Sequence, residues 1–251
     1  MNPQIFTYGE PQNLSPNEFT MENKDFLGWA KTSGGSIAYD DNSGYTIGAA
    51  DVTLYAVWGK LVTADNAATA IATLESGTDD NYPSYLIKIT DKTLSSEQLS
   101  DIGTAIKTKK NEDEWYAFIK LDISSVTGIT EITEKTFYYS MLSGIILPND
   151  LETIGIRAFV YNFFEEITIP NNVKTIENYS FSSCYYLKTI TLPASLVSIG
   201  ASAFKDCGRL ETVNYGGTQA QWEALKDDGK ISSTGNNALF NATIHCTDGD
   251  I

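Results

Sequence analysis

The stretch IGIRAFVYNFFEEITIP (residues 154–170) and the stretch IENYSFSSCYYLKTITLP (residues 176–193) share one pattern. In each, an isoleucine stands five residues before a phenylalanine, and an apolar triplet spaced as L-x-x-I-x-I follows before a proline. The isoleucine, the phenylalanine and the triplet recur four times, with phenylalanines at positions 137, 159, 181 and 204, which are 22, 22 and 23 residues apart, and a proline follows three of the four triplets. A period of this length predicts a solenoid, whose units share one core because none can bury its apolar face alone.

The spacing within one repeat predicts its local structure. Ile167 and Ile169 are two residues apart, so their side chains point to the same face of a short strand. Pro170 lacks a backbone donor and ends that strand. The next apolar pair, Val173 and Ile176, is three residues apart and predicts a helical or 3₁₀ turn. The phenylalanine of each repeat is then expected to be a buried plug on the outer side, with a role in stability.

These repeats resemble the BspA-like leucine-rich repeat of bacterial surface proteins. The resemblance rests on segments such as TITLPASLVSIGASAF (residues 189–204), where the leucine, proline and phenylalanine positions recur together, and it covers roughly residues 119–246. The closing segment VNYGGTQAQWEAL (residues 213–225) is similar to the usual end of such arrays. The resemblance implies an α+β repeat fold: a capped solenoid with parallel strands on its concave face.

Both ends of the solenoid are expected to be capped. Residues 60–118 predict an αβαβ connector that caps the first repeat, and Ser95 with Gln98 predicts a capping box at the start of a helix. The segment WYAFIKLDI (residues 115–123) is expected to be the next strand. At the other end, TQAQWEALKDD (residues 218–228) predicts a helix that places Trp222 over the last repeat, and ALFNATIHC (residues 238–246) predicts a final strand.

Residues 1–59 predict a separate small β-rich domain. Strand-like segments such as QIFTYG (residues 4–9), KDFLGWA (24–30) and LYAVW (54–58) alternate with Asn, Gly, Ser and Asp. The last two are similar to the internalin-type B-repeat, another surface module, although its usual Gly-Tyr pair is replaced here by Lys24 and Asp25. Trp29 and Trp58 are expected to anchor the core, with stacking on a sugar as the alternative role.

Charge excludes several partners. The chain has 32 acidic residues against 17 Lys and Arg, a formal net charge of −15, so it would be repelled by a phosphate backbone or an anionic membrane. No apolar run is long enough for a membrane span, and the first residues do not form a signal peptide. The protein is therefore either cytosolic or lacks its leader in this sequence. The family resemblance favours an extracellular or cell-surface protein, and we expect a monomer.

The sequence offers few catalytic groups. His245 is the single histidine, and no nucleotide-binding or hydrolase motif is present, so we expect neither an enzyme nor a cofactor. A zinc site built from His245, Cys246, Cys184 and Cys207 would not follow any paired-ligand spacing. Cys184 and Cys207 occupy equivalent positions in adjacent repeats. They could form a disulfide, but buried free thiols are favoured because parallel neighbours point their side chains in the same direction.

Two surfaces are candidates for binding. The first, here called the strand face, consists of polar positions between the buried residues of the repeat strands: Glu165, Glu166, Thr168, Lys188, Thr189 and Thr191. The second, here called the aromatic edge, consists of rings within five residues after a repeat phenylalanine: Tyr138, Tyr139, Tyr161, Phe163, Tyr185 and Tyr186. If these rings are exposed they have the composition of a binding hot spot, whereas if buried they only enlarge the core.

The two resemblances together imply a non-enzymatic, adhesin-like module that binds a host matrix protein or another surface protein. The main alternative is a structural spacer that projects another domain and has no ligand of its own. A third class, an enzyme or carbohydrate-processing accessory, would need a pocket with two carboxylates or an exposed Trp platform. Exposed aromatics on one face favour binding, and a uniformly polar face favours the spacer.

Overall fold

The computed structural model describes residues 4–33, 37–48, 50–76, 84–111 and 117–251. Contacts between Cα atoms divide the chain into two compact units. The first comprises residues 1–61 with residues 86–88, and the second comprises residues 62–85 with residues 89–251.

The first unit is a small antiparallel β structure. Its strand β2 lies between β3 and β5, while β1 pairs with β4. The β2–β5 pairing is irregular between Phe26 and Gly28, where the φ of Gly28 is +143° and a β-carbon would collide with the carbonyl of Tyr39. This is why the F-L-G-W segment needs glycine. The strands are β1 Pro11–Asn13, β2 Asp25–Ala30, β3 Ile37–Tyr39, β4 Gly44–Thr46 and β5 Tyr55–Val62.

Two expectations for this unit need correction. Residues 4–9 form no strand, because the chain turns at Tyr8 and Gly9, and the first strand begins at Pro11. Of the two expected core anchors, Trp29 is buried but Trp58 is only half-buried. Both rings contact Phe26 edge to face, at 5.0 Å and 5.5 Å between ring centroids.

A helical cap precedes the solenoid. Its elements are α1 Ala67–Ala72, β6 Ser84–Ile89, α2 Ser96–Lys110 and β7 Phe118–Asp122, with residues 115 and 116 outside the described ranges. Ser95 and Gln98 form the predicted capping box at the start of α2. A β-carbon at Gly103, in the middle of α2, would collide with the carbonyl oxygen of Thr136, beside the first repeat phenylalanine. The helix therefore lies directly on the end of the solenoid.

The repeat strands stack in parallel, as the sequence predicts. β7 pairs with β9, and β11, β13, β15 and β16 form a parallel sheet that ends in the antiparallel β17. The buried central residues Ile167, Ile190, Val213 and Ile244 are neighbours in register. The strands are β9 Gly144–Ile146, β11 Glu166–Thr168, β13 Thr189–Leu192, β15 Thr212–Tyr215, β16 Thr243–Cys246 and β17 Gly249–Asp250.

Each repeat also contains a second strand, where the sequence pattern predicts a helical or 3₁₀ turn. The isoleucine five residues before each phenylalanine lies in a two-residue parallel strand, and all four isoleucines are buried. The expected turn is present, since the N–H of Val173 donates to the carbonyl of Pro170 at 3.1 Å, but the strand that follows the turn was not predicted. The strands are β8 Glu131–Ile132, β10 Thr153–Ile154, β12 Thr175–Ile176 and β14 Ser198–Ile199.

The four repeat phenylalanines form one buried column. Their rings are fully buried and stack at 5.5, 5.3 and 5.5 Å between centroids, with interplanar angles of 7°, 11° and 5°. Backbone hydrogen bonds join the same turns, since the N–H of Phe137 donates to the carbonyl of Ala158 and that of Phe159 to Ser180. The most specific prediction of a solenoid is that the four phenylalanines lie one above another, and this column confirms it.

A polar column lies beside it, three residues after each phenylalanine. The side chains of Asn162, Cys184 and Cys207 each donate to the carbonyl oxygen of the phenylalanine in the preceding unit, at 2.8, 3.2 and 3.1 Å. Asn162 also accepts from the N–H of Leu142. The residue types differ along the column, but each position satisfies the same buried backbone group.

The C-terminal end differs from the prediction in one element. α3 Gln219–Asp227 has a capping box formed by Thr218 and Gln221, and its Trp222 is buried against Tyr215. Residues 238–241, predicted as part of the last strand, instead belong to the short helix α4 Asn237–Asn241. After α3, Ile231 forms a parallel bridge with Ile199 of β14. The chain then passes through α4 and enters β16, which belongs to the sheet of β11, β13 and β15.

Candidate interaction surface

The aromatic edge is positioned by the turn that follows each phenylalanine. Tyr139 and Tyr161 occupy equivalent positions in adjacent units, with φ values of 57° and 61°, and the same left-handed conformation recurs at Ser183 and Asp206. Such a conformation costs a residue with a side chain about 1–2 kcal/mol. Backbone hydrogen bonds between units hold it, for example from the N–H of Tyr139 to the carbonyl of Val160 at 2.8 Å. Equivalent tyrosines are thereby fixed above one another.

All six rings of the aromatic edge join one contact chain. Tyr139 stacks on Tyr161 at 4.6 Å with an interplanar angle of 3°, and its other neighbour is Tyr138, also at 4.6 Å. Tyr161 meets Tyr185 edge to face at 5.5 Å. Phe163 links Tyr161 to the third unit through Tyr186, at 6.2 Å and 5.3 Å. The surface therefore crosses three consecutive units without a break.

Half of these rings are substantially exposed. Tyr139, Tyr185 and Tyr186 keep 37%, 45% and 43% of their surface open to solvent. Tyr138, Tyr161 and Phe163 are half-buried beneath them. Large aromatic side chains in this state, supported by other rings, are typical of protein-binding surfaces.

A cation lies at each end of the aromatic edge. The Nζ of Lys107, from helix α2, is 5.5 Å from the centroid of Tyr138, and the guanidinium of Arg209 is 5.3 Å from that of Tyr186. Sequence reasoning missed both. Arg209 could have been found, because it follows its repeat phenylalanine by five residues just as Tyr186 does. Lys107 carries no such signal, since it lies outside the repeats.

The neighbouring rings influence the ionisation of Tyr139. The pKa of Tyr139 is raised, chiefly because an ionised Tyr138 beside it would repel a second phenolate, with smaller effects from burial and from Tyr161 and Tyr185. The phenol groups of four tyrosines are therefore close enough to interact. Their hydroxyl groups can donate and accept hydrogen bonds.

The strand face is a regular polar array. In register across the sheet, one row runs Glu166, Thr189, Thr212 and Thr243, and the next runs Thr168, Thr191, Asn214 and His245. Of the predicted residues, the exposed ones are Glu165, Glu166, Thr168 and Lys188, whereas Thr189 and Thr191 are half-buried.

Charge on the strand face is partly neutralised within the protein. The Nζ of Lys188 lies 3.0 Å from a carboxylate oxygen of Glu165 in the preceding unit. Both side chains are solvent-exposed, so the pair contributes about 0–1 kcal/mol to stability. Two of the predicted binding residues thus already have a partner in each other.

The cysteines and the histidine of the described residues are not grouped as metal ligands. Cys184 and Cys207 are buried free thiols, and burial together with the neighbouring thiol raises the pKa of Cys184 well above its usual value. His245 pairs with Asp250 at 2.7 Å. In the described part of the chain, no three or more His, Cys, Asp or Glu side chains are grouped as metal ligands would be.

Two parts of the chain match known families of repeats. Residues 111–224 match the family described as BspA type leucine rich repeat region, in six copies. The repeats of the solenoid are thus similar to BspA-type leucine-rich repeats. Residues 1–57 match a second family, the Listeria-Bacteroides repeat domain. Both repeat types are typical of bacterial surface proteins, and leucine-rich repeat proteins of the BspA type are generally non-enzymatic.

Comparison with whole proteins adds little. No curated protein matches the chain. A crystal structure of a leucine-rich repeat protein from Bacteroides ovatus aligns with 20% identity and a TM-score of 0.40, over 79% of this chain and 47% of that one. The chain spans about half the length of that protein. Among the helices the structure describes, none is long and apolar enough to cross a membrane.

Proposed function

We propose that this chain is a non-enzymatic, secreted or surface-displayed module that binds another protein through the aromatic edge and the adjoining strand face. Its adhesin-like partner would be a host matrix protein or another surface protein. Many weak contacts on a preformed face would provide the affinity, and display of several copies on a surface would raise it. The net charge of −15 makes nucleic acid an unsuitable partner.

One observation carries the proposal: Tyr139, Tyr185 and Tyr186 are more than one-third exposed while they are held by rings beneath them. Ordinary solubility does not call for exposed aromatics that are joined by one contact chain across three adjacent units. A spacer would be served equally well by polar residues at these positions. The rigid backbone also means that little conformational entropy is lost when the surface is covered.

An enzymatic role has less support. A cleft near the C-terminal end is lined by a single carboxylate, Asp206, with the buried Cys207 and uncharged residues. Glycoside hydrolysis needs two carboxyl groups flanking the bond. Of the tryptophans in the described ranges, Trp29 and Trp222 are buried and Trp58 is half-buried, so none forms an exposed platform.

The test is a binding assay of the whole chain against immobilised fibronectin, laminin and collagen, and against intact bacterial cells. The variant carries Tyr161→Ala, Tyr185→Ala and Tyr186→Ala together. We expect the variant to lose at least about tenfold in affinity for whatever target the wild type binds, because exposed tyrosines are frequent hot spots. Circular dichroism and thermal unfolding check that its fold is retained.

A matched control carries Tyr8→Ala and Tyr55→Ala, which remove tyrosines that are 72% and 40% exposed and lie outside the aromatic edge. This control should bind as the wild type does. Binding unchanged in the folded triple variant would remove the aromatic edge from the proposal. A wild type that binds none of the targets would favour the spacer.

A further inference from the structure

The geometry of the aromatic edge restricts the kind of partner it can take. A surface that stacks on sugar rings must offer the flat face of an aromatic ring. Here one face of Tyr139 and one face of Tyr161 cover each other, and the edge-to-face contacts of Tyr185 and Tyr186 engage the rings of the second unit. Tyrosine rings with their hydroxyl groups remain exposed at Tyr139, Tyr185 and Tyr186. Such groups suit a partner with exposed carbonyl oxygens and compact apolar rings.

A polyproline II helix is a partner of that kind. It has no internal hydrogen bonds, so its carbonyl oxygens are free to accept from tyrosine hydroxyls, and its proline rings are compact and apolar. It is already largely ordered before it binds, so little conformational entropy is lost on binding. This is why aromatic surfaces often recognise it.

The repeat of the solenoid matches the repeat of this helix. Neighbouring parallel strands lie about 4.8 Å apart, so two units advance about 9.6 Å. Three residues of a polyproline II helix advance about 9.3 Å at 3.1 Å each. A proline-rich segment laid along the stacking direction would therefore present the same side to every second unit. The contact chain from Tyr139 through Tyr161 to Tyr185 spans that distance.

The two cations set the length and the charge of the partner. Lys107 and Arg209 lie beyond the first and third units of the aromatic edge, and neither has an ion-pair partner among the described residues. Four unit spacings, from the cap to the fourth unit, correspond to about 19 Å or about six residues of polyproline II helix. Carboxylates at both ends of such a segment would meet these cations.

We propose that the aromatic edge binds an extended proline-rich segment of about six residues with acidic residues at both ends. The inference rests on the proposed function and names the chemistry of its partner. Tyrosine edges and hydroxyls contact the proline rings and backbone carbonyls, and Lys107 and Arg209 select the acidic ends.

The experiment titrates the whole chain with three synthetic peptides, monitored by NMR of labelled tyrosine side chains. The first is hexaproline flanked by glutamates, the second replaces the prolines by alternating glycine and serine, and the third replaces the glutamates by lysines. The first peptide should bind at least about tenfold more tightly than either of the others. Tyr185→Ala with Tyr186→Ala should weaken it by about tenfold, whereas Tyr8→Ala with Tyr55→Ala should not.

Lys107→Gln with Arg209→Gln should remove the preference for glutamate over lysine while hexaproline is still preferred over glycine and serine. Equal binding of the first two peptides, no binding of the first, or tighter binding of a cello-oligosaccharide would each overturn the proposal. These outcomes are distinguishable from failure of the proposed function. If the tyrosine variant loses matrix binding although no proline peptide binds, only the proline assignment is wrong.

Discussion

Two aromatic columns run along the same repeats, and they differ in what surrounds them. The phenylalanine column is fully buried, and its rings stack at 5.3–5.5 Å with interplanar angles of 5–11°. In the more exposed tyrosine column, formed by Tyr139, Tyr161 and Tyr185, the first pair is parallel at 3° and the second contact is perpendicular at 89°. The angles between neighbouring rings are therefore uniform in the buried column and varied in the exposed column.

The difference shows how a solenoid separates stability from recognition within one repeat. A buried ring must fit the same space in every unit, so the phenylalanine is written four times. The position of Tyr139 and Tyr161 instead holds serine and aspartate in the next two units. Exposed positions are free to vary because their contribution to the core is small.

Replacing one ring in each column should give the largest contrast. Phe159→Ala should lower the free energy of unfolding by about 3–5 kcal/mol, because it leaves a cavity between two stacked phenylalanines. Tyr185→Ala, on the exposed column, should change it by about 0.5 kcal/mol or less. Urea unfolding followed by circular dichroism measures both. Similar losses for the two variants would mean that the exposed column contributes as much to the free energy of unfolding as the buried column does.

The end of the buried column can be tested through its cap. Gly103→Ala should destabilise the protein by about 1–3 kcal/mol, because the new methyl group collides with the carbonyl of Thr136. In an exposed helix the same change gains up to about 1 kcal/mol. Thr104→Ala, at the exposed next position of α2, is the matched control and should have little effect. Thermal unfolding that shows Gly103→Ala to be stabilising would place α2 away from the phenylalanine column.

The polar column beside the phenylalanines should be less sensitive than the rings themselves. Asn162→Ala leaves the N–H of Leu142 and the carbonyl of Phe137 without their partner, at a cost of about 1–3 kcal/mol. Cys184→Ala removes one weak thiol donor to Phe159 and should cost less. Chemical unfolding of both variants gives the ranking. An equal cost would show that filling space, rather than satisfying the backbone, decides this position.

The smallest expected effect concerns ionisation in the exposed column. Tyr138→Phe should lower the pKa of Tyr139 toward its ordinary value of 10.0, because the largest cause of its rise is removed. An NMR pH titration of labelled tyrosine side chains follows this pKa, and Tyr55→Phe is the control that should leave it unchanged. An unaltered pKa in Tyr138→Phe would mean that the two phenol groups do not interact.

Much of the fold could be predicted because a solenoid repeats its own environment. The phenylalanine spacing predicted the buried column, the apolar triplets predicted the parallel strands, and Ser95 with Gln98 predicted a helix start that the structure confirms. The second strand of each unit was not predicted, since two residues are too few to show a period of their own. Residues 238–241 were mistaken for strand because the apolar Leu239 and Phe240 suit either structure.

The candidate surface was predicted in composition but not in arrangement. The sequence alone placed Tyr139 and Tyr161 at equivalent positions, because in a stacked array a fixed spacing makes residues neighbours. Only the tertiary structure showed which rings are exposed, that Glu165 and Lys188 neutralise each other, and that Lys107 reaches Tyr138 from helix α2. The physical reason is that a period encodes contacts between copies of the same position, whereas side-chain orientation and contacts with non-repeating segments depend on the packing of the whole chain.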